Sequence, residues 1–210
     1  HIVDGFTINR SRIAQNYTQF TEAIKTIKQL APVATTIHTS DVLELITMFA
    51  DTWVSLDAYD KDLLFTKGAT KKRVTLTAEK LTTILTDLKT SLTKRSEASE
   101  LFGIEKNRGT IAGIVGNVMQ TFDGKELYPS IEEKAAHLLY FIVKDHPFID
   151  GNKRSGAYAF IWFLRTAKIL NTERVTPPAL TALTILVAES NPKDKTKMIG
   201  LIISILRNKK

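Results

Sequence analysis

The chain of 210 residues is 43% hydrophobic and 24% charged, carries a formal net charge of +7 and contains no cysteine. This composition supplies one sizeable core and favours anionic partners such as nucleotides, while the lack of cysteine excludes disulfides, thiolate metal sites and a cysteine nucleophile. No apolar run approaches the ~20 residues that span a bilayer and no signal peptide is evident, so we expect a cytoplasmic protein with no membrane partner.

The first part of the chain shows helical periodicity. Apolar residues recur at three- to five-residue spacing over residues 8–27, and Ser40 is a good N-cap for a second helix. A long connection over residues 55–73 is predicted to precede a third amphipathic helix over residues 77–93.

A mostly polar segment over residues 94–107 follows this third helix. We therefore predict two units, an N-terminal helical subdomain over residues 1–95 and a core domain over residues 96–210. Because the chain begins at His1 rather than at methionine, we also expect it to be a fragment of a longer protein.

The next region is predicted to contain a helix and a hairpin. Residues 111–119 have helical patterning, and Gly113 and Gly116 within them predict a close helix crossing. The Asp-Gly dipeptide at 123–124 is a strong tight-turn signal between β-compatible flanks, so we predict a small hairpin over residues 121–129.

Four further helices are expected after the hairpin. Ser130 and Glu133 have capping-box spacing and open a helix that ends near Asp145, because Pro147 disfavours helical backbone at the residue before it. An apolar helix is predicted over residues 152–169, followed by one that opens at Thr176 with Pro177 and one over residues 198–206. The predicted fold class is therefore all-α with one small hairpin.

The loop between two of these helices, His-Pro-Phe-Ile-Asp-Gly-Asn-Lys-Arg at 146–154, combines residues suited to phosphate chemistry. The backbone N–H groups of an exposed helix start bind anions, and Gly151 lets a phosphate approach the backbone closely. Arg154 can clamp phosphate oxygens through two hydrogen bonds, and Lys153 can add a point charge.

Two more side chains of this loop suit the same chemistry. Asp150 is a hard oxygen ligand, well placed for a Mg²⁺ ion that bridges phosphates. His146 titrates near neutral pH and can take a proton from an attacking hydroxyl. With Phe148 as a buried anchor, the loop predicts a phosphoryl or nucleotidyl transfer site.

The same loop resembles the signature of the Fic/Doc (Fido) family, whose pattern is His-x-Phe-x-Asp/Glu-Gly/Ala-Asn-x-Arg. The resemblance covers about residues 111–170 and implies a Fic-type helical bundle with a β-hairpin flap and an N-terminal helical extension. It also implies a Mg²⁺- and ATP-dependent protein adenylyltransferase, which transfers AMP to a Ser, Thr or Tyr hydroxyl of a target protein and acts as a toxin.

The roles of individual residues follow from the same resemblance. His146 would be the general base, Asp150 would hold Mg²⁺, and Gly151, Asn152 and Arg154 would form the phosphate-binding anion hole, with Lys153 beside them. The flap would align a target segment by strand addition, and its residues would be Thr121, Phe122, Asp123, Gly124, Lys125, Glu126, Leu127 and Tyr128.

One residue departs from the adenylyltransferase pattern. Those members of the family have glycine where this chain has Lys153, whereas the Doc branch, which phosphorylates its target, has Asn-Lys-Arg and an alanine in place of Gly151. A lysine here could reverse the nucleotide and present its γ-phosphate. Nucleotidyl transfer is favoured because of Gly151, with Doc-like kinase activity and a non-catalytic helical interaction module as alternatives.

Weaker sequence signals bear on how the protein is regulated and on which partners it binds. The segment Ser96–Leu101 approaches the family's inhibitory pattern, but a solvated polar turn is the favoured interpretation, and a separate antitoxin is an equal alternative. The wider sequence, including residues 56–60, resembles the C-terminal Fic part of bacterial RhuM-like proteins. DNA contact is therefore expected only through a missing N-terminal region.

Overall fold

The structure, a computed structural model, describes residues 67–175 and 177–207. The predicted helices at 8–27 and after Ser40, which belong to the predicted N-terminal helical extension, lie outside the described residues. The division into subdomains at residue 95 stays a prediction. Among the described residues, no helix is long and apolar enough to cross a membrane.

The described residues form six α-helices and one hairpin, which confirms the predicted all-α fold class. The helices are α1 (Ala78–Lys94), α2 (Thr110–Met119), α3 (Ile131–Asp145), α4 (Asn152–Thr166), α5 (Pro177–Glu189) and α6 (Lys195–Leu206). The hairpin lies between α2 and α3 and consists of β1 (Thr121–Phe122) and β2 (Lys125–Glu126), and a short 3₁₀ turn over Pro192–Asp194 precedes α6.

Local capping sets where the central helices begin and end. The Ser130 side chain accepts a hydrogen bond from the Glu133 N–H while the Glu133 carboxylate accepts one from the Ser130 N–H, which is the predicted capping box. Helix α4 ends at Thr166, three residues earlier than predicted. The reason is a Schellman motif in which Lys168 has φ +59° and the Ile169 N–H donates to the Leu164 carbonyl.

Helix α3 is the centre of the bundle. Every residue from Ile131 to Val143 is buried, and α3 packs against α2, α4, α5 and α6. Helix α1 lies against α2 and α4, with Leu81 and Leu85 buried in the same core. A helix enclosed on all sides is a rigid base, so the loop that leaves its carboxyl end starts from a fixed position.

The predicted close crossing at Gly113 and Gly116 is wrong. A Cβ at either glycine would have no neighbour within 4 Å, because α2 turns Ile111, Ile114 and Val118 to the core and its glycines to solvent. The close crossing belongs to Gly156 on α4, where a Cβ would lie 2.7 Å from Cγ2 of Val143 on α3. The glycine at 156 therefore lets α4 approach the central helix.

The two kinds of glycine predict opposite responses to the same substitution. Gly156→Ala should lower the free energy of unfolding by about 1–3 kcal/mol, because the added methyl overpacks the α3–α4 interface. Gly113→Ala should raise it by about 0.5–1 kcal/mol, because alanine favours an exposed helix position. Urea denaturation measures both, and an equal effect of the two substitutions would contradict the assigned crossing.

Candidate active site

The predicted loop residues gather around one cavity of about 560 Å³ at the junction of α3 and α4. Its lining consists of His146, Ile149, Asp150, Gly151, Asn152, Lys153 and Arg154. Every residue predicted for catalysis, metal binding or phosphate binding therefore lies at the same cavity. Phe148 is 2% exposed and anchors the loop in the core, as predicted.

The amino end of α4 opens onto this cavity. Gly151 is its N-cap, with φ +83° and no side chain capping the helix, and the Ser155 N–H makes the first helical bond to the Gly151 carbonyl at 2.8 Å. The N–H groups of the first helical turn have no helical acceptor, and the helix dipole makes this end partially positive. The arrangement is suited to binding a phosphate group.

Gly151 is constrained by an aromatic neighbour as well as by its backbone. A Cβ at this position would lie 2.2 Å from Cε2 of Phe102, whose side chain is completely buried. The guanidinium carbon of Arg154 lies 4.6 Å from the centre of the same ring, in a cation–π contact. Glycine is therefore required both for the positive φ and for the close approach of Phe102.

The side chain of Asn152 holds the loop together. Its Oδ1 accepts a hydrogen bond from the Phe148 N–H and its Nδ2 donates one to the Phe148 carbonyl, both at 2.8 Å. The oxygen and the nitrogen of the amide group each make one hydrogen bond within the loop. The phosphate-binding role predicted for Asn152 stays a prediction.

The backbone of residues 103–106 pairs with the loop, a contact that was not predicted from the sequence. The Gly103 N–H donates to the Asp150 carbonyl at 3.0 Å, the Ile149 N–H to the Ile104 carbonyl at 2.8 Å, and the Lys106 N–H to Pro147 at 2.8 Å. This segment belongs to the polar stretch that we interpreted as a boundary. The apolar residues within it, Leu101, Phe102 and Ile104, were the signal that it has a structural role.

The turn at residues 96–100 contacts the side chains of Asp150 and Arg154. Ser99 Oγ donates to Asp150 Oδ2 at 3.1 Å, and Arg154 Nη1 donates to the Glu97 carbonyl at 2.7 Å. The Glu97 side chain lies 3.9 Å from Arg95 instead. The segment forms an exposed turn, and it orients the Asp150 and Arg154 side chains.

The electrostatic environment of His146 favours its neutral form. It follows the last residue of α3 in a left-handed conformation with φ +48°. Partial burial lowers the pKa of His146 below its ordinary value, and the positive charges of Lys106, Lys144 and Lys153 lower it further. A neutral imidazole can accept a proton, so the geometry and the charge both suit a general base.

The residues present fit a Mg²⁺ ion that is bound together with nucleotide phosphates. Among the described residues, no group of three or more His, Asp and Glu side chains surrounds a single point. Asp150 is half-exposed at the cavity, with its Oδ2 3.9 Å from Arg154 Nη2. One carboxylate with phosphate oxygens and water is a common Mg²⁺ environment, so Asp150 would be the protein ligand.

The hairpin has the predicted position and turn. Thr121 pairs with Glu126 and Phe122 with Lys125, and both residues of the Asp123-Gly124 turn have positive φ, as a tight hairpin turn requires. Within the described part of the chain, the two strands pair only with each other.

Two contacts that sequence reasoning missed attach the hairpin to α3. Lys134 Nζ, almost completely buried, lies 2.8 Å from Glu126 Oε2 on β2. The ring of His137 stacks on Tyr128 with centroids 3.6 Å apart, and burial is the main reason that its pKa is lowered to about 4. His137 is thus a neutral packing residue at the base of the hairpin.

Comparison with known proteins agrees with this geometry. A family model described as the Fic/DOC family matches residues 76–164, which include α1, the hairpin and the whole loop 146–154. No curated protein and no solved structure matches the chain. The resemblance to RhuM-like proteins stays a prediction. Residues 76–164 therefore form a domain of the Fic/DOC family.

Proposed function

We propose that the protein is an adenylyltransferase that uses ATP and Mg²⁺ to attach AMP to a hydroxyl side chain of a target protein. The observation that carries this proposal is the convergence of three features on one cavity. These are a base with a lowered pKa at His146, an uncapped helix start at Gly151, and a carboxylate at Asp150. Family membership supports a transferase that modifies proteins.

In the proposed reaction, the chain supplies a base and an anion-binding surface. The target hydroxyl loses its proton to His146 while its oxygen forms a bond to the α-phosphorus, and the bond to the pyrophosphate oxygen breaks with its electron pair. The N–H groups at the start of α4 and the Arg154 guanidinium stabilise the charge on the phosphate oxygens. A Mg²⁺ ion at Asp150 would neutralise part of that charge.

Phosphoryl transfer is the second candidate, and one observation favours it. Lys153 lines the cavity, and its charge acts on His146. A cation at the start of α4 can favour the more highly charged terminal phosphate, as in the Doc branch. Gly151 supports the first candidate, because its close contact with Phe102 excludes the alanine found in that branch.

The target protein is proposed to dock at the flap. A peptide that adds a strand to the hairpin would gain backbone hydrogen bonds independent of its sequence. The exposed ring of Phe122, 81% accessible, lies on β1 and can cover the incoming segment. We also propose that such a modification makes the protein a toxin, controlled by a separate antitoxin.

The decisive experiment compares ATP labelled on the α-phosphate with ATP labelled on the γ-phosphate. The purified chain is incubated with Mg²⁺ and cell lysate, and His146→Ala serves as the control. We expect protein-bound label predominantly from the α-phosphate, reduced by roughly 10²–10⁴-fold in His146→Ala because the general base is lost.

Each other result has a definite meaning. Label from the γ-phosphate alone would replace the first candidate with the kinase. Label from neither position, with wild-type ATP binding intact, would contradict an active transferase and leave a binding module.

The pH dependence of label transfer is predicted from the charges around His146. Because burial and the nearby lysines lower the pKa of this base, the acidic limb of kcat/KM should lie below pH 6.5. Lys106→Met removes one of these charges and should move the limb to higher pH. The control is Lys80→Met on α1, an exposed lysine whose charge is not among those acting on His146. If the acidic limb moved equally in both variants, the assigned effect of the Lys106 charge on the pKa of His146 would be wrong.

The attachment of the flap can be tested without altering the cavity. Lys134→Met keeps most of the buried volume but removes the ammonium partner of Glu126, so the hairpin should lose its fixed position on α3. We expect label transfer to protein to fall while the affinity for ATP stays unchanged. In Glu126→Gln, whose side chain can still accept a hydrogen bond from Lys134, label transfer should fall less than in Lys134→Met. A matching loss of ATP affinity in Lys134→Met would show damage to the bundle instead.

A further inference from the structure

Lys153 is the residue that distinguishes the loop from the adenylyltransferase pattern, and its side chain has an acidic partner. Its Nζ lies 4.0 Å from Oε1 of Glu189, the last residue of α5. Both side chains are partly buried, with 31% and 27% of their surfaces exposed. Glu189 lies beyond the segment 76–164 that matches the family.

The position of Glu189 is fixed by a second lysine. Lys144, near the carboxyl end of α3, donates through Nζ to the carbonyl of Ala188 at 2.8 Å and also to the carbonyl of Ser190. These are the residues on either side of Glu189. Because the last carbonyls of a helix have no helical donor, a lysine is a favourable cap there. The end of α5 is thereby attached to the end of α3, two residues before His146.

A lysine held at the edge of the cavity acts differently from one that is free. Lysine is a compact charge on a flexible four-carbon stem, so its ammonium can move several ångströms when its partner is removed. A terminal phosphate carries about two negative charges, whereas an internal phosphate of ATP carries one. An ammonium released toward the start of α4 therefore increases the preference for the terminal phosphate at the reacting position.

We propose that Glu189 is a positioning residue that holds the Lys153 ammonium at the edge of the cavity and so favours reaction at the α-phosphate. This inference rests on the proposed transferase function and names the residue that sets its specificity. In the favoured reaction the target oxygen bonds to the α-phosphorus and pyrophosphate leaves. In the alternative it bonds to the γ-phosphorus and ADP leaves, and in both the hydroxyl proton goes to His146.

The test removes the negative charge of Glu189 with little change of shape. In Glu189→Gln, the ratio of α-label to γ-label transferred should fall severalfold. In the double variant Glu189→Gln with Lys153→Met, the ratio should return to that of Lys153→Met alone. The matched control is Glu173→Gln, a change at an exposed glutamate between α4 and α5, which should leave the ratio at its wild-type value.

Binding of inorganic pyrophosphate gives a readout that does not depend on transferase activity. Isothermal titration calorimetry should show severalfold tighter binding to Glu189→Gln than to the wild type, and this gain should disappear in the double variant. If Glu189 only supported α5, both labels would fall together, the ratio would stay constant and pyrophosphate affinity would not rise.

The outcomes separate this inference from the proposed function. An unchanged label ratio in an active Glu189→Gln protein overturns the inference alone. Tighter pyrophosphate binding with an unchanged ratio shows that Glu189 holds Lys153 but overturns its role in specificity. A wild-type protein that transfers neither label rejects the proposed function and with it the specificity role, while the pyrophosphate titration still reports whether Glu189 restrains Lys153.

Discussion

The contact between Phe102 and Gly151 is the constraint on which the geometry of the site depends. The ring fills the space where a side chain at residue 151 would lie, and it also supports the Arg154 guanidinium. The backbone that follows Phe102 can then pair with the loop as far as Pro147. One buried aromatic residue thus sets the path of the loop and the direction of its arginine.

A second level of organisation comes from charged and polar groups that α3 keeps buried. Glu132 accepts hydrogen bonds from the backbone and hydroxyl of Thr70, and Lys134 reaches Glu126 on the hairpin. Buried ionic groups are tolerated when they are paired, and breaking such a pair is costly. The central helix therefore uses its polar residues to attach the segments that lie outside the apolar core.

Local signals in the sequence predicted local structure well. The capping box at Ser130 and the Asp-Gly turn each depend on residues a few positions apart, so one sequence contains all the information needed. The motif at 146–154 could also be recognised, because its residues are contiguous and run into the start of a helix. This contiguous motif predicts that His146, Asp150 and Arg154 lie at one site, and all three line the same cavity.

Contacts between distant parts of the chain could not be predicted from such local signals. Ser99 and Asp150 are 51 residues apart, and nothing in either residue indicates the other as its partner. Gly113 and Gly156 look alike in sequence, yet only the second faces another helix, because helix rotation is decided by the whole core. The pairing of Lys153 with Glu189 likewise depends on how α5 returns to α3.

The amide of Asn152 has a chemical consequence beyond the shape of the loop. It accepts a hydrogen bond from the N–H of Phe148 and donates one to the carbonyl of the same residue. Hydrolysis of that amide to a carboxylate would keep the acceptor, remove the donor and set two oxygens against each other across the loop. Conversion of Asn152 to aspartate would therefore weaken the hydrogen bonding that joins residue 152 to Phe148.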